Sequence, residues 1–154
     1  MQIDPLTPAD LDACARVVDG LPFFQGYGLS GASAARALEA GLDAGDELHV
    51  ARATSGAPAQ GFSWVMPRGA FGRGAYLRLL AVDHAHLGRG VGRALMTDLE
   101  RRHLTRSGGV SLLVTSTNAP AIAFYEALGY ARVGALGSFV KPGVDEVLFY
   151  KPGG

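Results

Sequence analysis

One segment, from Ala75 to Met96, constrains the fold more than any other part of the chain. Its apolar first half predicts a buried strand, which runs into a loop that carries Gly88, Gly90 and Gly92, and apolar residues then recur at helical spacing. The first backbone N–H groups of such a helix lack partners within it and lie at the positive end of its dipole. Because glycines have no Cβ atoms, a phosphate can approach these groups closely, so the segment predicts an anion-binding loop.

Other glycine loops require residues that this one lacks. A Walker loop contains Gly-Lys-Ser/Thr, whose absence disfavours phosphoryl transfer from a nucleoside triphosphate. A dinucleotide fingerprint requires a glycine where Arg93 stands and an acid after the next strand, where Ser116, Thr117 and Asn118 stand. A tight strand-to-helix turn without a ligand stays open on this segment alone. Arg89 and Arg93 would add positive charge to a phosphate site.

The charge distribution also favours an anion in the middle of the chain. The 14 basic residues balance the 14 acidic ones, and a formal net charge of zero argues against a general role on nucleic acid or a membrane surface. Eight arginines lie between Arg68 and Arg106, against Asp83, Asp98 and Glu100, which gives this segment a charge of +5. An anionic ligand would be drawn to it.

Length and composition predict a single globular domain. The chain has 154 residues, of which 48% are hydrophobic and 18% charged. Because it has no apolar run of roughly 18 residues, and because Met1 to Leu11 lacks the pattern of a signal peptide, we expect a cytoplasmic protein that does not act at a membrane. The single cysteine, Cys14, has apolar neighbours at helical spacing and is interpreted as a packed thiol rather than a nucleophile.

Periodicity predicts an α/β or α+β three-layer domain. Thr7 and Pro8 are typical of a helix start, and apolar spacing predicts a second helix over about Ser33–Asp43. The glycine- and aromatic-rich stretch Gly20–Gly31 is interpreted as a loop that lines a site. Further along the chain we expect strands over Glu47–Thr54, Gly61–Pro67 and Tyr76–Val82, a helix from Val91, a strand over Ser111–Thr115, a helix over about Ala119–Leu128 and a last strand around Glu146–Tyr150.

A second motif, N-A-P-A-I-A-F-Y-E-A-L-G-Y, follows the glycine loop. Together the two resemble the GNAT superfamily of N-acetyltransferases. That family holds the pyrophosphate of acetyl-CoA with a loop of the form Arg/Gln-x-x-Gly-x-Gly/Ala, followed by a strand and an Asn-x-x-Ala-x-x-Phe-Tyr-x-x-x-Gly-Phe/Tyr helix. The loop matches at Gly90 and Gly92 and departs at Leu87, where the family has Arg or Gln. The second motif matches at Asn118, Ala121, Phe124, Tyr125, Gly129 and Tyr130.

The resemblance implies a fold, a reaction and a cofactor. The fold would be a central mixed, mostly antiparallel sheet of about six to seven strands flanked by about four helices. The reaction would move an acetyl group from acetyl-CoA directly to an amine acceptor of unknown identity, without a metal. Leu80, Ala81 and Val82 would contact the pantetheine arm through main-chain atoms. The other implied cofactor-binding residues are Leu87, Gly88, Arg89, Gly90, Val91, Gly92, Arg93, Asn118 and Tyr125.

Tyr125 matches the family tyrosine beside the departing CoA sulfur. A phenol with a pKa of about 10 is a poor acid towards a thiolate whose model value is about 8.5, so we expect Tyr125 to stabilise developing thiolate charge. A core tyrosine without a catalytic role is the alternative. The sequence selects no general base among Glu47, Asp83, His84, Asp145, Glu146 and water.

The acceptor side is less defined by the sequence. Phe23, Phe24 and Tyr27 are aromatics in a glycine-rich stretch and would form one wall of an acceptor pocket. His84 and His86 stand two residues apart without a cysteine or a cluster of acids, which disfavours a metal site. A non-catalytic module that binds acyl-CoA as a sensor or interaction partner is the alternative function, and the sequence leaves a homodimer open.

Overall fold

Seven strands pair into one sheet in the computed structural model, in which residues 1–25 and 27–154 are described. The strands are β1 (Gln2–Pro5), β2 (Glu47–Arg52), β3 (Gly61–Ala70), β4 (Gly74–Val82), β5 (Val110–Thr115), β6 (Ala131–Lys141) and β7 (Val144–Lys151). Their order across the sheet is β1-β2-β3-β4-β5-β7-β6. Strand β4 runs parallel to β5, whereas β1–β2, β2–β3, β5–β7 and β6–β7 are antiparallel pairs.

Five α-helices connect the strands within the same described residues. They are α1 (Leu11–Asp19), α2 (Pro22–Gln25), α3 (Gly31–Asp43), α4 (Val91–His103) and α5 (Ala119–Ala127), and two 3-10 turns cover Pro8–Asp10 and His84–His86. The mixed, mostly antiparallel sheet expected from the sequence is therefore confirmed. The structure has one helix more than the roughly four expected.

The start of the first helix differs from the prediction. Helix α1 begins at Leu11, and the residues after Thr7 form a 3-10 turn instead. The backbone N–H of Thr7 donates to Asp10 Oδ2 at 3.0 Å, which closes the turn before the α-helix begins. Asp10 Oδ1 also lies 3.0 Å from Arg52 Nη2, so a buried ion pair holds the carboxylate in this place.

The stretch Gly20–Gly31 was expected to be a loop. It is not entirely one, because the four-residue helix α2 lies within it. Pro22 is the first residue of α2, where its missing N–H and fixed φ are tolerated. The N–H of Phe24 donates to the carbonyl of Leu21 at 3.1 Å. Gly26 of the same stretch lies outside the described residues.

The predicted elements also omitted two strands. Strand β1 has only four residues and ends in a proline, which leaves no alternation to detect. Strand β6 is exposed along almost its whole length, so polar and apolar residues do not alternate in it. It contains Gly134 and Gly137, and its pairing with β7 shifts register twice.

The first compact unit comprises residues 1–65 and 79–99. Its core includes Val18, Leu38, Val50 and Phe62, each with a relative exposure of 0%. Helix α1 packs against α3, and both contribute apolar side chains to the same cluster as strands β2 and β3. Cys14 belongs to this cluster, and burial raises the pKa of its thiol to about 12, as a packed thiol requires.

The second compact unit comprises residues 66–78 and 100–154. Strands β5 and β7 pair along their full common length, from Val110 opposite Lys151 to Thr115 opposite Glu146. Phe149 of β7 is fully buried opposite Leu112 of β5. The start of β4 continues this ladder, with Ala75 to Leu77 opposite Val110 to Leu112.

A close approach between β3 and β4 fixes the point at which β4 ends. A Cβ atom on Gly61 would lie 2.8 Å from the carbonyl oxygen of Ala81 and 3.0 Å from a methyl group of Val91. The N–H of Asp83 donates to the carbonyl of Gln60 at 2.8 Å. The residues after β4 therefore leave the sheet from a position that only glycine at 61 permits.

We expect Gly61→Ala to lower the free energy of unfolding by about 1–3 kcal/mol, because the new methyl group overlaps backbone rather than a movable side chain. Gly134→Ala is the matched control, since a Cβ atom there meets no atom within 4 Å. Urea unfolding of both variants measures the difference. Equal transition midpoints would show that β3 does not depend on this approach.

Candidate functional site

The loop between β4 and α4 begins with a turn that its own side chains organise. Asp83 Oδ1 accepts a hydrogen bond from the N–H of Ala85 at 3.4 Å. Asp83 Oδ2 lies 3.2 Å from Nδ1 of His86. The two contacts close the 3-10 turn His84–His86, after which Leu87 returns to an extended conformation. Asp83 and His86 therefore shape the entrance to the glycine segment.

The glycines of the loop adopt conformations that other residues avoid. Gly88 has a φ of +74° and Gly90 a φ of +82°, both in the left-handed region. A Cβ atom built on either glycine meets no atom within 4 Å, so the space next to the loop is open. The loop thus offers backbone atoms, with no side chain over these two positions.

Helix α4 starts directly after this loop. The N–H of Ala94 donates to the carbonyl of Gly90 at 3.0 Å and makes the first helical hydrogen bond. The N–H groups of Val91, Gly92 and Arg93 precede that bond and have no partner within the helix. Open space, left-handed glycines and a helix start together are the features of an anion-binding site.

The side chains around the loop divide into buried anchors and exposed charges. Val91 is 1% exposed and packs with Ala51 and Leu95, and Leu80 and Val82 lie against the same cluster. Arg89 and Arg93, on the loop and on the first turn of α4, are exposed. Two arginines therefore supplement the positive end of the helix dipole.

Leu87 differs from the Arg or Gln that the motif predicts, and it is 52% exposed. Its side chain supplies no hydrogen bond, so the backbone donors and the two arginines are what the loop offers to an anion. Ala81, by contrast, is buried, and its carbonyl faces Gly61. Main-chain contact of Leu80, Ala81 and Val82 with a pantetheine arm stays a prediction.

The second motif forms helix α5, which has a marked start and a marked end. The side chain of Asn118 accepts a hydrogen bond from the N–H of Ala121 at 3.3 Å, and Pro120 occupies the first turn. Gly129, with a φ of +90°, ends the helix. Asn118 therefore caps α5, and its contact with the cofactor stays a prediction.

Tyr125 is buried in an aromatic cluster of the second unit. Its ring centroid lies 5.0 Å from that of Phe124 and 5.9 Å from that of Tyr130, and both pairs meet edge to face. Burial raises the pKa of Tyr125 above the ordinary value for a phenol. The hydroxyl therefore stays protonated at neutral pH and keeps a proton that it can donate in a hydrogen bond.

Lys151 holds the end of α5, a contact that the sequence analysis missed. Its Nζ donates to the carbonyl of Leu128 at 2.7 Å and to Glu100 Oε2 at 2.6 Å. The same Nζ lies 5.6 Å from the centroid of the Tyr130 ring. No spacing in the sequence signals this arrangement, because its members lie on α4, on β7 and in the segment that follows α5.

The predicted aromatic wall forms a cluster around α2. The ring of Phe23 lies 5.9 Å from that of Phe24 and 5.4 Å from that of Tyr27. Phe23 is 43% exposed, whereas Phe24 packs against the core of the first unit. Phe23 therefore presents the apolar surface, and Phe24 anchors it.

Two of the carboxylates left open as a general base are engaged within their own units. Asp83 pairs with His86, as described above. Glu146 is 5% exposed and accepts a hydrogen bond from the Thr115 hydroxyl at 3.1 Å. Both carboxylates have a local partner, so neither is singled out as the base.

No group of three or more His, Cys, Asp or Glu side chains within residues 1–25 and 27–154 is arranged to hold a metal ion. Across the same residues, no helix has the length and apolar character needed to cross a bilayer.

Known proteins share parts of this sequence and its fold. Residues 56–130 match the model of the Acetyltransferase (GNAT) family. The chain is 33% identical over 133 residues to an uncharacterized protein of Mycobacterium leprae, an alignment that covers 86% of this chain and 35% of that protein. It is 42% identical over 55 residues to the N-alpha-acetyltransferase RimI of Mycobacterium tuberculosis, which covers 36% of this chain and 34% of that one.

The alignments therefore cover about a third of the length of each of these curated relatives. Among solved structures, an acetyltransferase of the GNAT family from Bacillus cereus superposes with a TM-score of 0.78. The superposition covers 99% of this chain and 96% of the other, at 17% identity. A likeness at this identity shows that the two proteins share a fold.

Proposed function

We propose that this chain, which carries an acetyltransferase domain of the GNAT family, transfers an acetyl group from acetyl-CoA directly to an amine. The observation that carries the proposal is the loop before α4. Gly88 and Gly90 take left-handed conformations beside open space, immediately before a helix start. Backbone donors without covering side chains suit a pyrophosphate, and the resemblance of this loop to the family motif supports acetyl-CoA as its ligand.

The proposed cofactor residues act in two ways. Gly88, Gly90 and Gly92 let phosphate oxygens approach the N–H groups at the start of α4, while Arg89 and Arg93 add charge. Leu87 would contact the cofactor only through its backbone, because its side chain has no hydrogen-bonding group. Leu80, Ala81 and Val82 would align the pantetheine arm through main-chain hydrogen bonds, and Asn118 would contact the cofactor from the start of α5.

The reaction forms one bond and breaks another. The amine nitrogen attacks the thioester carbonyl, the new C–N bond forms and the C–S bond breaks. The nitrogen loses one proton to a base or to water, and the sulfur leaves as a thiolate that takes up one proton to become the free thiol. Positioning of the two reactants in one site supplies much of the rate, and no covalent intermediate on the enzyme is needed.

Tyr125 would act on the leaving sulfur as a donor. Because burial raises its pKa further above that of a thiol, transfer of its proton to the thiolate is unfavourable. A hydrogen bond from the neutral phenol to the developing negative charge stabilises the transition state without that transfer. The raised pKa therefore favours electrostatic stabilisation over general acid catalysis.

The acceptor is proposed as an amine on a small molecule or a peptide. The relative from Mycobacterium tuberculosis is named as an N-alpha-acetyltransferase, which supports an amine acceptor for this chain as well. Phe23, with Phe24 and Tyr27 behind it, would form an apolar wall beside that amine. A cytoplasmic location without nucleic-acid or membrane partners, and a homodimer, stay predictions.

Acetyl-CoA at a hundred times its dissociation constant should add about 2.7 kcal/mol of stability and raise the unfolding midpoint by several degrees. Gly90→Ala should weaken the binding of acetyl-CoA at least tenfold. An alanine at this position either leaves the left-handed conformation or is strained in it, and the loop loses its geometry. Gly143→Ala carries the same backbone strain at a φ of +76°, away from the loop. Thermal unfolding with and without acetyl-CoA measures both effects.

Equal binding by the two glycine variants would contradict the role of the loop. Binding of acetyl-CoA without release of free thiol on any of a panel of amines would instead identify a non-catalytic acyl-CoA-binding module. ATP and NADPH are the ligand controls, since the loop lacks the residues that either would require.

Tyr125→Phe should lower kcat by about 10- to 100-fold and leave the KM for acetyl-CoA unchanged, because one hydrogen bond to the leaving sulfur is lost. The phenol is protonated throughout the neutral range, so the loss should be the same from about pH 6 to 9. Steady-state kinetics across that range provide the measurement.

Tyr130→Phe is the matched control for this variant. The hydroxyl of Tyr130 is buried and has no hydrogen-bond partner in the described residues, so its removal should preserve kcat. A Tyr125→Phe enzyme with full turnover at every pH would remove the proposed role of this residue.

Phe23→Ala should change the order of preference among amine acceptors while the KM for acetyl-CoA stays the same. Phe23 is suited to this test because it is the exposed member of its cluster, whereas Phe24 also supports the core. Competition between paired aromatic and aliphatic amines, read as the ratio of the two kcat/KM values, measures the effect. An unchanged ratio would show that Phe23 does not line the acceptor pocket.

A further inference from the structure

A basic pocket lies within the second unit and contains none of the residues proposed for acetyl-CoA. Its volume is about 450 Å³, and Arg68, Arg73 and Arg106 line it together with the buried His103 and with Ser107. No aspartate or glutamate of the described part of the chain lines it. Three arginines thus line one pocket without a carboxylate.

The wider charge distribution has the same sign. Residues 66–78 and 100–154 carry nine Lys and Arg against four Asp and Glu, a formal charge of +5. The remaining residues carry five Lys and Arg against ten Asp and Glu, a charge of −5. A chain of zero net charge therefore concentrates its excess of cations in the unit that holds the pocket.

Two of the lining arginines, Arg68 and Arg73, flank a hairpin turn in a strained conformation. The N–H of Arg73 donates to the carbonyl of Ala70 at 3.0 Å, and both central residues have positive φ, 56° at Phe71 and 71° at Gly72. Phe71 is 87% exposed, so packing of its ring does not offset the strain of this conformation. Strain of this kind is retained where a turn must hold neighbouring side chains in place.

The turn also orients a guanidinium group. Nε and Nη2 of Arg68 donate to the carbonyl of Gly72 at 3.3 and 3.2 Å. These contacts fix the plane of the guanidinium, which has five N–H donors in all. Arg68 is therefore held in position before any ligand arrives, at a small further loss of side-chain entropy on binding.

The segment that carries Arg106 and Ser107 approaches the start of β4 through glycine backbone. A Cβ atom on Gly74 would overlap the carbonyl oxygen of Gly108, and the N–H of Ala75 donates to the carbonyl of Gly109 at 3.0 Å. Only glycines permit this contact between the start of β4 and the loop that precedes β5. The contact brings Arg106 and Ser107 to the same pocket as the two arginines of the hairpin.

We propose that this pocket binds a small phosphate-bearing ligand with at least two negative charges. Like charges gathered in one pocket repel each other, and an anion between them removes this repulsion. The planar guanidinium group matches pairs of phosphate oxygens, and the hydroxyl of Ser107 adds a further donor. The volume lies in the range of small-ligand sites, which is about 300–1,000 Å³.

The test titrates the full chain with inorganic pyrophosphate and follows the backbone amide signals by NMR. Gly74, Ser107 and Gly109 report on the pocket, whereas Gly88 and Gly90 report on the loop before α4. The pocket signals should shift along a saturable curve. The Arg73→Gln/Arg106→Gln double variant should weaken that curve at least tenfold and leave the curve of the loop signals unchanged.

The matched control, Arg16→Gln/Arg36→Gln, removes the same charge from exposed positions on α1 and α3 and should change neither curve. Pocket signals that stay still at millimolar pyrophosphate would overturn the proposal, and so would equal curves for the two double variants. Equal shifts with sodium chloride at the same ionic strength would show screening rather than binding. Malonate that binds as tightly as pyrophosphate would overturn the assignment to phosphate.

Discussion

The geometry of the glycine loop depends on how closely β3 passes β4 at Gly61. The missing side chain lets the two backbones meet at Ala81, and the next hydrogen bond, from Asp83 to Gln60, fixes the last residue before the loop. Asp83 then uses its carboxylate to close the turn that follows. Val91, the first residue of helix α4, packs beside the same strands, so both ends of the loop lie next to this close approach.

Neither of the two kinds of group that the proposed reaction uses changes its protonation state in the neutral range. The loop supplies N–H dipoles, whose strength against an anion increases when water is excluded and which carry no proton to lose. Tyr125 supplies a hydroxyl, and burial strengthens its preference for the neutral form. Both contributions are therefore independent of pH in the neutral range. Any pH dependence of turnover then reports on the amine and on the group that accepts its proton.

Local sequence patterns predicted the parts of the structure whose geometry is local. Glycine spacing before Val91 and the Asn118 cap before Pro120 each specify a backbone conformation within a few residues, and both lie in the predicted elements. The family resemblance further supplied the sheet class. Helix α2 was not predicted, because a helix of four residues is too short to show a periodicity of apolar residues.

Long-range contacts stayed hidden for a different reason. Lys151 meets Glu100 and the end of α5 across separations that leave no spacing in the sequence. The basic pocket likewise joins a hairpin turn to the segment around Arg106, and only the fold brings the two together. The excess of arginine between Arg68 and Arg106 was visible in the sequence, but its division between a glycine loop and a separate pocket was not. The sequence thus gives the net charge of a segment, whereas only the fold shows where its charged side chains lie.

The irregular pairing of β6 has a consequence for the behaviour of the protein at high concentration. This strand is last in the sheet, and Val133, Phe139 and Val140 are exposed on it, which in a straight strand would offer a long template for another chain. Its register shifts between Arg132 and Gly134 and again after Leu136, and Ser138 has a φ of 51°. Each irregularity interrupts the row of outward N–H and C=O groups. A strand of another chain could therefore pair with β6 only over short lengths, which protects the protein against aggregation. The same irregularities are the reason that the sequence pattern did not predict β6.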